Sequence, residues 1–465
     1  MAGAFLGLDA GLSGTKAAVL ATDGRLLGGA VASLPAVMPE PNWLDPEALY
    51  RSVLTAGRTA IHAAGNPPLA AIAIGALGPC PVLLDEQGAS LGLSPIFSRE
   101  TSAESFRQEL LQSHQLKQSE LGPDHVLAKL MWSKVHAPER FAKARLVTDI
   151  AGFLTGRLTG VFTMDGITCG DHTAPGVPQP VPLPQPELPD HIAGSLTAAA
   201  AQELQVRSGI PVAVGCYDSF ADILGVGCTK VGDAAMLLGS TLVIGRASTV
   251  FTVDEDLRLS PYIGNGNFVS GWTSAAASLI NWSAQLYGKA AAEAAAELPP
   301  GAGGLIMLPY FAGERAPVWD PLARGTLIGM TLRTAPAELH RAAIDAVALS
   351  AMDLGMRIAN AAGKAASYRV TGGASHNAAL TQAIADALDT PLAIMAYAGE
   401  AVGPAVLAAR AVGRTLSIPL SREMMPEAAR HARYLDLLSL YRPLYARLQD
   451  TMHALGRFNT GAGHD

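Results

Sequence analysis

Three short runs of this sequence gather residue types that handle phosphates and protons. The first is Asp9-Ala10-Gly11-Leu12-Ser13-Gly14-Thr15-Lys16, a carboxylate ending an apolar run, then glycines, two hydroxyls and a lysine. Triphosphate chemistry uses such parts: backbone N–H groups and a cation for phosphate oxygens, and a carboxylate for Mg²⁺ or its waters. The same residues also suit an Asx-capped hairpin. The second run, Gly215 to Gly225, follows apolar Pro211 to Val214 and places Asp218 where strand turns to helix. A helix N-terminus stabilises an ionised acid there, leaving it able to accept a hydroxyl proton, although capping alone also explains the residue. Asp222, one turn on, is assigned to solvent or packing. The third run, Gly372-Gly373-Ala374-Ser375-His376-Asn377, joins a strand to a helix and offers bare backbone for close approach of a nucleotide. His376 reads as an exposed turn residue.

These runs need elements to position them. Apolar stretches at 4–8, 15–21 and 25–33, separated by turn residues, predict a three-stranded antiparallel meander. That meander argues against the dinucleotide and Walker phosphate loops, which run from a strand into a helix, and Gly14-Thr15-Lys16 also breaks the Walker order. A similar unit recurs at 233–246, where Gly239-Ser240-Thr241 forms the turn and a further β-rich stretch runs through Val253. The echo suggests a duplicated domain with a ligand cleft between the copies. Helices are predicted over 46–64, 103–118, 126–136, 275–287, 338–362, 378–388 and 403–411, with strands at 72–74, 82–85 and 368–371. Seven prolines between 175 and 189 predict an extended surface connector.

Composition bounds what remains. Lys and Arg number 33 against 40 Asp and Glu, a net charge of −7, so a nucleic-acid backbone is a poor partner. Hydrophobic residues make up 49% of the chain, yet no uninterrupted apolar run approaches the roughly 20 residues that span a bilayer. Cys80, Cys169, Cys216 and Cys228 lie far apart with no C-x-x-C, so they read as small buried hydrophobes in a reducing compartment. No early Lys or Arg precedes the first apolar stretch, and Asp9 interrupts it, so a cytoplasmic location is expected.

A longer pattern joins these pieces. Leu308-Pro309-Tyr310 leads into Gly313-Glu314-Arg315-Ala316-Pro317-Val318-Trp319-Asp320-Pro321 and Arg324-Gly325-Thr326-Leu327-Ile328-Gly329-Met330, and after seven residues comes Glu338-Leu339. With these motifs the chain resembles the FGGY carbohydrate kinases of the sugar-kinase, actin and Hsp70 ATPase superfamily. The resemblance runs from Asp9 to about Gly413. It implies an α/β fold of two actin-like (ribonuclease H-like) domains, 1–232 and 233–465, with an interdomain cleft. It implies ATP and Mg²⁺ as cofactors, Asp9 as the metal-associated acid, and Gly11, Ser13, Gly14, Thr15 and Lys16 as the first phosphate turn. Gly239, Ser240 and Thr241 fall on the second phosphate turn, with Thr and Ser exchanged relative to the family. Ala277 and Asn281, with Gly372, Gly373 and Asn377, fall on the adenosine side, and Asp218 on the base that deprotonates the substrate hydroxyl.

Substrate recognition departs from the family. The usual Met-His-Gly or Gln-Arg-Glu is replaced by Gly75-Ala76-Leu77-Gly78-Pro79-Cys80, and the usual Trp-x-Asp-x-Arg by Ile96-Phe97-Ser98-Arg99-Glu100-Thr101. Leu77, Gly78, Ser98 and Arg99 remain pocket lining by position. The reading is an ATP-dependent kinase of a small sugar, a ketopentose of xylulose or ribulose type. The alternatives are a polyol kinase of glycerol or erythritol type and a non-catalytic ATP-binding switch or regulatory module on the same fold. A homodimer is the assembly considered, with neither nucleic acid nor membrane as partner.

Overall fold

Alternation along the strand Ala4–Gly11 layers the first sheet, because successive side chains leave a strand on opposite faces. Leu6 and Leu8 pack toward Gly57 of helix Pro46–Ala63, while Gly7 and Asp9 share the other face. A Cβ at Gly7 would lie 2.4 Å from Ala401 O and 2.3 Å from Ala405 N, so glycine there lets helix Val402–Ala411 rest on the strand backbone. The computed structural model describes residues 3–34, 42–96, 102–117, 120–122, 125–262, 266–397 and 401–459.

Contacts divide the chain into two units, Met1–Gly227 with Gly399–Pro419, and Cys228–Ala398 with Leu420–Asp465. The first therefore includes the segment around helix Val402–Ala411, which a single cut near residue 232 assigns to the other half. Its main sheet runs in the order Ile192–Ser195, Pro211–Ala213, Leu69–Ala76, Ala4–Gly11, Gly14–Leu20, Leu26–Ser33, with Cys216–Tyr217 also pairing on Leu69–Ala76. The last three strands form the expected antiparallel meander, and Leu69–Ala76 adds in parallel.

The second unit repeats this plan. Its sheet orders Arg258–Pro261, Asn267–Trp272, Leu242–Ser248, Ala234–Leu238, Tyr368–Thr371, Leu392–Met395 and Leu420–Met424. Four antiparallel strands, one more than in the first sheet, are followed by two parallel ones and an antiparallel edge. The 27-residue helix Pro336–Ala362 is almost wholly buried against it, and its Arg341 and Asp345 are satisfied by each other and by Tyr434.

Three expectations need correction. The β-rich stretch ends at Ser248, because its hydroxyl bonds both Val250 O and Val250 N and turns the chain out of the sheet; the chain re-enters at Arg258–Pro261, and the strand that pairs with Leu242–Ser248 is Asn267–Trp272. The helix over 103–118 shortens to Glu104–Ser113, where Gln115 takes a left-handed conformation (φ 55°) and Leu116 N caps Leu111 O. The proline segment is more than a surface connector: Val181 is buried and Pro182 O accepts from Val147 N. Three cysteines are buried and Cys169 half-buried. No described helix is long and apolar enough to cross a membrane.

Candidate active site

In the first unit, strand register assembles an acid cluster. Asp9 stands opposite Lys16 on one side and Gly75 on the other, and Gly75 in turn pairs with Cys216. Gly75 lets the strand pack closely here, since a Cβ would press on Ala221 Cβ and Pro404 Cγ at 3.1 Å each and touch Asp218 Cα at 3.4 Å. Asp218 opens helix Asp218–Gly225, and its Oδ1 accepts from Ser219 N at 2.6 Å. The strand-to-helix junction anticipated for it is thus present.

Burial and the charge of Asp9 push the Asp218 carboxyl up to about 7. Asp222 lies one helical turn beyond and is raised well above the usual carboxylate range by burial and by Asp9 and Asp218. Burial also raises Asp9, opposed by Lys16. Asp222, read from sequence as solvent-facing or packing, is therefore part of this cluster; its i, i+4 spacing from Asp218 was the available signal.

The first turn is built as a tight two-residue connection, with Gly11 paired to Gly14. Gly14 has φ 139°, and a Cβ would lie 2.1 Å from Ala32 O, so the meander itself requires glycine here. Ser13 and Lys16 are exposed. Thr15 corrects the reading of two available hydroxyls: its Oγ1 is buried and bonded to Ser52 Oγ at 2.6 Å, because strand alternation turns it to the face opposite Lys16.

Of the substrate-lining candidates, Leu77 is buried in the core, and the space a Cβ would take at Gly78 is filled by the Tyr217 ring and Asp149 Oδ1. Ser98 and Arg99 lie outside the described residues. Beside Tyr217 sits a buried polar group that sequence reading missed. Tyr217 Oη donates to Asp171 Oδ2 at 3.1 Å, and Asp149 Oδ2 accepts from Cys80 N and lies 3.7 Å from His172 Nε2. Burial holds the His172 imidazole down to about 4.

In the second unit a cavity of about 420 Å³ opens beside the turn at 239–241. Six anticipated residues line it: Gly239, Ser240, Ala277, Asn281, Gly373 and Asn377. Ile280, Ala374 and Leu380 complete the wall and were not anticipated; the helical positions next to Asn281 and three beyond Asn377 were their signal. Thr241 and Gly372 are not in the lining. Gly372 instead takes φ 97° where a Cβ would lie 2.5 Å from Leu238 O, and so permits the chain to leave the strand. Asn377 caps helix Ala378–Leu388 through Leu380 N at 3.1 Å, and His376 is exposed. Ala277, Ile280, Ala374 and Leu380 set among the Ser240 hydroxyl and the Asn281 and Asn377 amides suit a flat heteroaromatic base with polar edges.

Residues 4–173 match the model for the FGGY family of carbohydrate kinases, N-terminal domain, and residues 220–412 match its C-terminal domain. The chain is 26% identical to a xylulose kinase of Escherichia coli (strain K12), over 96% of this chain and 100% of that protein. It is 29% identical to a glycerol kinase of Alkalilimnicola ehrlichii, over 88% and 90% respectively. A crystal structure of xylulose kinase from Rhodospirillum rubrum superposes with a TM-score of 0.84 at 26% identity, covering 97% of this chain and 100% of that one. The chain belongs to the FGGY family of carbohydrate kinases, and with it to the phosphotransferases that use an alcohol group as acceptor.

Proposed function

We propose that this protein transfers the γ-phosphate of ATP to a hydroxyl of a ketopentose of xylulose or ribulose type. The observation that carries the reading is Asp218, a first-turn helix acid one turn from Asp222, which burial and the charge of Asp9 leave able to exchange a proton near neutral pH. In this role its free carboxylate oxygen takes the proton of the attacking hydroxyl while Oδ1 stays fixed by Ser219 N. Ser13, Gly14 and Lys16 of the first turn, and Gly239, Ser240 and Thr241 of the second, hold phosphate oxygens. Gly373, Ala277, Asn281 and Asn377 receive the adenosine, with Ile280 and Leu380 against the base.

Magnesium fits the acid cluster by charge, since Asp9 raises the proton affinity of Asp218, both raise that of Asp222, and the single positive charge of Lys16 opposes all three. Among the described residues no three acidic, histidine or cysteine side chains converge as a ligand set. Asp9 would therefore hold the ion in company with phosphate oxygens and water. Bound there, the ion supplies neutralisation of phosphate charge.

The ketopentose assignment draws on the xylulose kinases among the relatives and on the Gly11-Leu12-Ser13-Gly14-Thr15-Lys16 pattern. A coupled ADP-release screen over ketopentoses, 6-deoxyketohexoses, aldonates and polyols tests it. The highest kcat/KM is expected for a ketopentose; preference for a polyol or an aldonate would overturn the substrate class, and ATP binding without turnover on any of them would mark a switch. Asp218→Asn should lower turnover by about 10³-fold or more and leave ATP affinity within about twofold. The reading carries a cytoplasmic, homodimeric enzyme, checked by fractionation and light scattering.

A further inference from the structure

The Gly-Glu-Arg loop that identifies the family has no part in the chemistry described so far, yet it grips the backbone beside the second phosphate turn. Three successive residues of the loop bond three successive residues of the chain: Ala316 N donates to Trp272 O at 2.9 Å, Arg315 Nη2 to Thr273 O at 2.7 Å, and Ser274 N to Glu314 Oε1 at 2.6 Å. Glu314 is only 4% exposed, and the same Oε1 also accepts from Arg315 N at 2.8 Å. The loop is closed on itself by reciprocal bonds between Glu314 and Asp320, both 2.9 Å. Asp320 is in turn anchored by Tyr445 Oη at 2.8 Å and His453 Nε2 at 2.7 Å from the C-terminal helix.

Two residues beyond Ser274 the clamped segment reaches the phosphate turn. Ala276 N donates to Ser240 O at 2.8 Å, Ala277 N to Gly239 O at 3.1 Å, and Ser278 Oγ to Ser240 O at 2.8 Å. We infer that Glu314 is a positioning residue for the second phosphate turn, holding Ser274 so that residues 276–278 fix the carbonyls of Gly239 and Ser240. The inference rests on the proposed binding of ATP at that turn. Charge at Glu314 is not what the clamp uses. Its Oε2 is buried without a hydrogen-bond partner, and burial raises the carboxyl to about 7. A neutral amide keeping an acceptor oxygen at the Oε1 position should therefore preserve the clamp far better than alanine.

The test is calorimetric ATP binding in the presence of Mg²⁺ and absence of sugar, with KM measured for both substrates. Glu314→Ala should weaken ATP binding and raise the KM for ATP about tenfold, with the KM for sugar unchanged. Glu314→Gln should keep most of the parent's ATP affinity. Ser278→Ala should raise the KM for ATP modestly, and the double variant Glu314→Ala/Ser278→Ala should lose less than the product of the single effects. If Glu314→Ala does not fold, Glu314→Asp, one methylene short of Ser274 N, takes its place. Unchanged ATP affinity in a folded Ala or Asp variant, or damage by Gln equal to that by Ala, would overturn the inference. A parent that binds ATP but phosphorylates no sugar would remove the substrate reading alone, and the binding comparison among variants would still decide the role of Glu314.

Discussion

Asp218 is pulled in two directions. A base needs its proton to come and go near neutral pH, and burial beside Asp9 achieves that at a cost to the folded state. The sign follows from linkage. The native carboxyl titrates at about 7 and the unfolded one near 3.8, so between those values the native state holds a proton that the unfolded state has released. Stability therefore falls as pH rises through this window and is flat above it. Asp218→Asn removes the penalty, and in the absence of ATP and Mg²⁺ its Tm should exceed the parent's at pH 8 by a few degrees and match it at pH 4. Thermal melts at the two pH values decide this, and parallel pH profiles for the two proteins would refute it. Thr15 makes the opposite point at the same scale: a hydroxyl within a phosphate-like turn is spent on Ser52 because the strand faces it inward.

The helix bearing Asp218 is held by a neighbour remote in sequence. Gly225 and Gly403 meet backbone to backbone, since a Cβ at Gly225 would lie 2.4 Å from Gly403 Cα and one at Gly403 would lie 2.3 Å from Ala221 O. Neither helix can yield without moving the base, because Ala221 is one turn from Asp218. Gly403→Ala should destabilise the protein by about 1–3 kcal/mol and lower kcat more than it raises the KM for ATP. Gly170→Ala, where a Cβ meets nothing within 4 Å, is the stability control. Denaturant titration and steady-state kinetics read both effects, and a Gly403→Ala variant as stable and active as the control would contradict the account.

At the scale of the molecule, the C-terminal stretch serves both units. Residues 399–419 belong to the first, contributing buried Ala405, Val406 and Leu407, and residues 420–465 to the second, contributing Tyr434, Leu438, Tyr441 and Met452. Ending the chain after Pro419 should unfold the second unit, because it strips Tyr434 from the buried Arg341–Asp345 pair, and should abolish ATP binding. Amide protection of the strand Ala4–Gly11 should survive that truncation and be lost when the chain ends after Ala398. Hydrogen exchange distinguishes the two, and equal protection in both would refute the division. With a net charge of −7, the chain as a whole has no global attraction for ATP to fall back on, so affinity rests on the local turns.

What the sequence determined by itself was whatever a few neighbouring residues decide. The meander was legible because Asp23-Gly24 and Ser13-Gly14 are turn chemistry set between apolar runs, and helix Ala378–Leu388 because its run is Ala-rich and amphipathic. The family motifs were legible for the same reason, being contiguous. Tertiary structure alone decided which distant groups meet: Asp222 with Asp9, Thr15 with Ser52, Glu314 with Ser274, and helix Val402–Ala411 with the first sheet. Such pairings leave no periodic trace along the chain. They arise when sheet register and helix packing bring two segments together and burial compels each polar atom to find a partner.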